Sequence, residues 1–229
     1  MKKAAKIVIS IMIIFLLAVS TGFTADISFS GFLGDQSSYD LLKPGPKGGA
    51  KLRWMNPGVD FKKYNKFMVD SVIFYLADQS DYKGIDPQEM KQLADQFNKE
   101  LMTAFKNKWP TVADPGPDVA RIRIAITNIK PSKPGLSAVT TIIPIGLGVS
   151  LAKKGATGGW AGSGGTSIEV MALDSVTSEV IAMAVDQRKA EFEQRFSKWG
   201  SANDAFNFWS EKIVNLIDDA HGIKREQNK

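Results

Sequence analysis

The sequence contains no cysteine and a single histidine, His221. The first absence excludes disulfides, thiolate nucleophiles, thiolate zinc sites and iron-sulfur ligation. It also removes the residue on which exported bacterial proteins carry a lipid, so no lipid anchor is expected and any membrane contact must come from side chains. The second absence leaves a histidine-based triad one candidate base, and that residue stands at the end of the last helical pattern, where it complements the helix dipole.

Phosphate loops are missing as well. No Gly-Lys-Ser or Gly-Lys-Thr occurs, and Gly146-Leu147-Gly148 is followed by Leu151 where a dinucleotide fingerprint needs its third glycine. The stretch from Asp78 to Glu89 has the look of a calcium loop, but its register fails. With Gly84 at the sharp turn, Gln79 and Lys83 fall on the first and fifth ligand positions, and a lysine cannot ligate a cation. Asp218 and Asp219 are adjacent in a helix and so point about 100° apart, which suits solvation better than a shared proton or metal. The residues therefore give no catalytic, cofactor-binding or metal site, and neither an enzyme nor a cofactor is expected.

What is present begins with a basic segment, Met1 to Lys6, followed by an apolar run from Ile7 to Val19 interrupted only by Ser10. This is the pattern of a secretory signal; the run is shorter than the roughly 20 residues that cross a bilayer. Ala18 and Ser20 place small residues correctly for cleavage after position 20, with cleavage after Ala25 as the alternative. The formal charge of +5 invites a nucleic-acid reading, but Lys2, Lys3 and Lys6 belong to the leader, and their removal leaves +2. The remaining bases are scattered, so nucleic acid is not an expected partner.

The mature chain reads as an extended Gly/Pro-rich arm over 28–57, a single α/β domain over 58–222 and a polar tail over 223–229. The arm holds Lys43-Pro44-Gly45-Pro46-Lys47-Gly48-Gly49, which cannot sustain a helix or a central strand. Its Phe29, Phe32, Leu33, Leu41 and Leu42 are expected to lie against the domain.

Phe67 to Leu76 predicts a buried strand. Asp86 as cap, Pro87 at the first helical position and Glu89 three residues after the cap predict a helix start. Its apolar stripe is Met90, Leu93, Phe97, Leu101, Ala104 and Phe105, and it runs to Trp109-Pro110. Ala120, Ile122, Ile124 and Ile126 alternate with Arg121 and Arg123, predicting a strand whose arginines lie on a solvated face. Two further strands, Gly165 to Leu173 and Val180 to Asp186, form a hairpin. A last helix, capped by Ser201, buries Trp209, Ile213, Leu216, Ile217 and Ala220. The order is β-α-β-insert-β-β-α, which implies an α+β two-layer sandwich: about four strands, with two main helices on one face.

The insert, 135–165, is the odd segment. It runs from the apolar stretch Thr141 to Ala152 through Lys153-Lys154 into a glycine-rich tract around Trp160. One reading is a short Pro-initiated helix whose apolar residues cover the sheet or a groove beside it. The other is a surface for a partner or for peripheral membrane contact through 141–160, made by Ile142, Ile145, Leu147, Val149, Leu151, Lys153, Lys154 and Trp160, with the lysines at a lipid boundary and the indole as an interfacial aromatic.

Several groups of residues together resemble a known family. They are Ser30-Gly31-Phe32-Leu33; Trp54-Met55-Asn56-Pro57-Gly58-Val59-Asp60 with Tyr64; Val69-Asp70-Ser71-Val72; Ile143-Pro144-Ile145-Gly146; Leu173-Asp174-Ser175 with Glu179; Asp186-Gln187-Arg188; and Trp199-Gly200 through Trp209. The resemblance, spread from about Ser30 to Asp219, is to exported bacterial proteins grouped as domain of unknown function 3313. It implies no activity, substrate or catalytic residue. Many members look like lipoproteins, and this chain departs from them in lacking the lipid-accepting cysteine. The expectation is a periplasmic or cell-envelope module, peripheral to the outer membrane if it touches one, which binds an envelope protein or polymer without catalysis. The alternative is a carboxylate- or lysine-dependent envelope hydrolase or transferase.

Overall fold

The computed structural model describes residues 29–76, 85–130, 165–189 and 200–223. The leader, the calcium-like loop from 78 to 84, insert positions 135–164 and the tail from 224 lie outside the described residues.

The described chain forms α1 (Gln36–Asp40), β1 (Lys43–Pro44), β2 (Leu52–Met55), β3 (Lys66–Val69), β4 (Ile73–Phe74), α2 (Pro87–Phe105), β5 (Val119–Lys130), β6 (Gly165–Asp174), β7 (Val180–Lys189) and α3 (Gly200–Ala220). The strands make one seven-stranded sheet in the order β1-β2-β7-β6-β5-β3, with β4 also beside β5. β3 and β4 run parallel to β5, and every other pairing is antiparallel. The mixed α+β class and the order from β3 to α3 follow the sequence pattern, but a sheet of about four strands is an underestimate.

Part of the difference is the arm. Leu52 to Met55 pair in register with Val185 to Ala182, so β2 lies inside the sheet, and β1 is the two-residue edge that ends at Pro44. Proline suits that place because an edge strand needs no donor on its outer side. A second difference is the Phe67–Leu76 run, which splits. Val69 pairs with Ile122 and Ile73 with Ala125, so four steps on one side oppose three on the other, and the extra residue breaks the strand at Asp70-Ser71-Val72. The Asp70 carboxylate there meets Arg121 at 2.9 Å and Arg123 at 3.6 Å.

α2 and α3 pack together on one face of the sheet. Asp86 caps α2, its Oδ1 accepting from the Gln88 amide at 2.8 Å, and Pro87 occupies the first turn. The helix ends at Phe105, earlier than the sequence suggests, because Asn107 takes φ 64° and turns the chain. Leu93, Phe97, Leu101 and Phe105 are buried against Ile122, Ile124 and Ile126 of β5 and against Phe206 and Trp209 of α3. Phe97 and Phe206 stack at 4.6 Å with planes 9° apart. Burial of each such ring contributes about 1.5–3 kcal/mol. α3 starts at Gly200, which places Ser201 inside the helix instead of at its cap.

The opposite face is covered too, so a two-layer description is corrected. Phe32, Leu33 and Tyr39 of the N-terminal segment bury themselves against Ala125, Met171, Leu173, Met183 and Val185. The reason lies in β6, which carries Ile168, Val170 and Ala172 toward the helices but Met171 and Leu173 toward the other side. A register shift between Ala172 and Leu173 also divides the apolar row of β7: Ile181 joins the helix side, while Met183 and Val185 join the other.

Candidate functional site

Four carboxylates are buried among the described residues: Glu169, Asp174, Asp186 and Asp218. An unpaired charge at such depth costs several kcal/mol, so each needs donors. Each finds one on an aromatic side chain. Tyr39 Oη donates to Glu169 Oε2 at 2.7 Å, and Tyr64 Oη to Asp174 Oδ2 at 2.9 Å. Trp209 Nε1 donates to Asp186 Oδ2 at 2.6 Å, and Trp109 Nε1 to Asp218 Oδ1 at 2.8 Å.

These pairs join elements that are distant in sequence. Glu169 also accepts from the Ser30 amide at 2.8 Å, while the Tyr39 hydroxyl accepts from the amides of Gly31 and Leu33, so one buried pair fastens the arm to β6. Burial first, and then the bond to Glu169, pushes the Tyr39 phenol up to about 12. Asp174 heads the β6–β7 turn, where the Thr177 and Val176 amides reach its Oδ1 at 3.0 Å and Lys63 reaches its Oδ2 at 3.1 Å. The Thr177 amide above all, with Lys63 and Tyr64, holds its carboxyl well below the usual range. Asp186 accepts from the Lys51 amide at 3.0 Å, tying β2 to β7 and α3. Asp218 receives Lys108 Nζ at 3.8 Å as well as Trp109. Asp218 is thus buried and partnered, and the solvated reading of the Asp218-Asp219 pair holds only for the exposed Asp219.

His221 packs its ring 4.5 Å from Trp109, and its Nδ1 lies 2.9 Å from the Ile217 carbonyl oxygen. A carbonyl only accepts, so Nδ1 carries the proton and the residue closes the last turn of α3. Among the described residues, no group of three or more His, Asp or Glu could hold a metal ion, and no helix is long and apolar enough to cross a membrane.

Among the described residues, a groove of about 280 Å³ lies between α3 and the β2–β7–β6 part of the sheet. Its existence follows from side-chain size. Where the strands face α3, the floor is Ala172, Ala182 and Ala184, with Ala172 directly opposite Ala182, and methyl groups cannot reach a helix packed at normal distance. Phe208, Lys212, Ile213, Leu216 and Ile217 form the roof. One end holds the Asp186–Trp209 pair together with Arg53 and the turn from Pro46 to Ala50; the other is closed by Tyr64, Phe67 and His221. The Phe208 ring meets two cations, Arg188 at 3.7 Å and Lys212 at 5.2 Å from its centre.

Of the residues weighed for chemistry in the sequence, His221 and Asp219 line this groove, and none of the proposed contact residues is among its described lining. Ile142, Ile145, Leu147, Val149, Leu151, Lys153, Lys154 and Trp160 all lie outside the described residues. The alternation of β6 hid Glu169, which reads as a polar residue turned to water and is fully buried beneath the arm. The groove had one legible signal, the alternate alanines of Ala182-Met183-Ala184 facing an apolar helix.

The chain is similar to an uncharacterised lipoprotein of Escherichia coli, YdcL, with 25% identity over 193 residues that cover 83% of this chain and 81% of the relative. Among solved structures it is similar to the PelC dodecamer from Paraburkholderia phytofirmans, with a TM-score of 0.39, 9% identity, and coverage of 70% of this chain and 95% of that one. A DUF4136 family protein from Bacteroides thetaiotaomicron gives a TM-score of 0.33 at 10% identity, covering 75% and 96% of the two chains. The model of the protein family of unknown function DUF3313 matches residues 28–213, and the chain belongs to that family.

Proposed function

We propose that this protein is an exported, non-catalytic binding or assembly module of the cell envelope, and that it holds an apolar group of its partner in the groove beneath α3. One observation carries the reading. The two carboxylates lining the groove come from different elements: Asp186 of β7, held by Trp209 near the start of α3, and Asp219, ten residues beyond Trp209 on α3. One is tied to an indole at one end of α3 and the other sits toward the far end, which supports a binding groove over a pair of carboxylates converging on one bond.

The other buried carboxylates are held by tyrosine or tryptophan donors between elements of the fold, which leaves an apolar groove in place of a polar cleft. The leader pattern supports export, and the lipoprotein name of the E. coli relative supports an envelope setting. The segment 141–160 is a second contact surface in this reading, on the strength of its apolar sequence and Lys153-Lys154.

A photo-reactive side chain at Leu216, in the groove, compared with one at the exposed Met102 of α2, tests the proposal in intact cells. The expected result is a discrete envelope adduct from position 216 alone. Equal labelling from both positions, or unprocessed chain recovered from the cytosol, contradicts it.

A further inference from the structure

The groove has a shape and a polarity that together select a ligand class. On α3 its lining runs from Phe208 to His221, about 20 Å of helix. An elongated apolar groove of that length accommodates an extended hydrocarbon chain. The alanine floor and the Ile213, Leu216 and Ile217 roof are apolar along its middle.

Two basic side chains gather at one end, while Asp219 lines the groove toward the other. Arg53 pairs in register with Ala184, two residues from Asp186, and Lys212 lies three residues beyond Trp209, so both approach the end where Asp186 meets Trp209. Lys212 Nζ extends toward Gly48, standing 4.0 Å from where a β-carbon there would be, so it closes the mouth over the Pro46–Ala50 turn. Arg53 forms no ion pair among the described residues. Asp186, whose oxygens receive Trp209 Nε1 and the Lys51 amide, makes no ion pair with it. A guanidinium and an ammonium at the mouth of an apolar slot complement a carboxylate or phosphate carried on a hydrocarbon chain.

We infer that the groove binds a single-chain anionic amphiphile, its chain lying on Ala182 and Ala184 beneath α3 and its carboxylate or phosphate head held by Arg53 and Lys212. The inference rests on the binding-module reading and names the ligand class of the same site.

Calorimetric titration of the mature protein with dodecanoate, dodecyl phosphate and dodecyltrimethylammonium below their micelle concentrations, and with dodecanol below its solubility limit, tests it. One equivalent of an anionic amphiphile should bind, dodecanol at least tenfold more weakly, and the cationic amphiphile not at all. The tighter of the two anions identifies the head. Ala184→Leu fills the floor and should abolish binding. Arg53→Glu, at the rim, should weaken anion binding at least tenfold with an unchanged thermal midpoint, which keeps the test informative if the leucine variant misfolds. Equal binding of anion and cation, dodecanol binding as tightly as the anions, or unchanged affinity in folded Ala184→Leu overturns the inference. If no amphiphile binds while the photo-reactive group at Leu216 still captures an envelope partner, the ligand class fails and the module reading stands; if that adduct is also absent, both fail.

Discussion

The Tyr39 hydroxyl, on a five-residue helix of the N-terminal segment, donates a 2.7 Å hydrogen bond to the fully buried carboxylate of Glu169, in the middle of the sheet and 130 positions away. The same hydroxyl accepts from two backbone amides of the chain that leads into that helix. A glycine-rich segment becomes a structural layer because one buried charge needs donors and this segment supplies them.

Replacing Tyr39 with phenylalanine keeps the ring in its pocket and removes the hydroxyl. Glu169 is then left with the Ser30 amide as donor, and two amides lose their acceptor. The expected cost is about 1–3 kcal/mol in equilibrium urea unfolding, with the N-terminal segment becoming sensitive to protease before the rest of the chain. Wild-type stability in that assay places the fastening of the arm elsewhere.

The alkaline limb of stability follows from the same pair. Burial, with the Glu169 bond second, raises the Tyr39 phenol to about 12, against about 10 in an unfolded chain. A group whose value is raised on folding contributes fully below its unfolded value and loses that contribution as pH climbs through the folded one. Stability should therefore fall between about pH 10 and 12 because of this residue. The Tyr39→Phe variant, starting lower, should lack that portion of the decline in a pH series of unfolding curves.

Asp174 governs the acid limb with the opposite sign. Its carboxyl is held low by the Thr177 amide first, and by Lys63, Tyr64 and the Val176 amide as well. Its contribution is present above about pH 4, the unfolded value, and is lost as pH falls toward the depressed folded one. Asp174→Asn should be less stable at neutral pH and should show a shallower loss of stability below pH ~4 than the wild type. Parallel acid limbs would remove Asp174 from the account.

Ser178, in the same turn, has φ 61°. A left-handed conformation costs a non-glycine residue roughly 1–2 kcal/mol, part of which glycine forfeits through its greater freedom when unfolded. Ser178→Gly should therefore raise stability by about 0.5–1 kcal/mol, read as a higher thermal midpoint.

Much of the fold was legible in the sequence where local chemistry decides it. The Asp86-Pro87 start of α2, its 3–4 spaced apolar stripe, the strict alternation of Ile122, Ile124 and Ile126, and the β6–β7 hairpin all depend on residues close together in the chain, and the structure agrees with each. What was hidden depends on distant partners. Nothing within Leu52-Arg53-Trp54-Met55 announces pairing with residues 182–185, and the glycines and prolines around it argue for a loop. Glu169 reads as a solvent-facing strand position because its cover comes from a segment 130 residues earlier. The groove escaped for a similar reason: alternate alanines in a strand become an opening only when a helix from elsewhere is laid across them.

The central claim is that the buried carboxylates hold the fold together. The direct measurement is the unfolding free energy at neutral pH of Glu169→Gln, Asp174→Asn, Asp186→Asn and Asp218→Asn. The account expects each to be destabilised, by about 1–3 kcal/mol. A variant as stable as the wild type or more so would remove that carboxylate from the ties that hold the fold, and would contradict the claim.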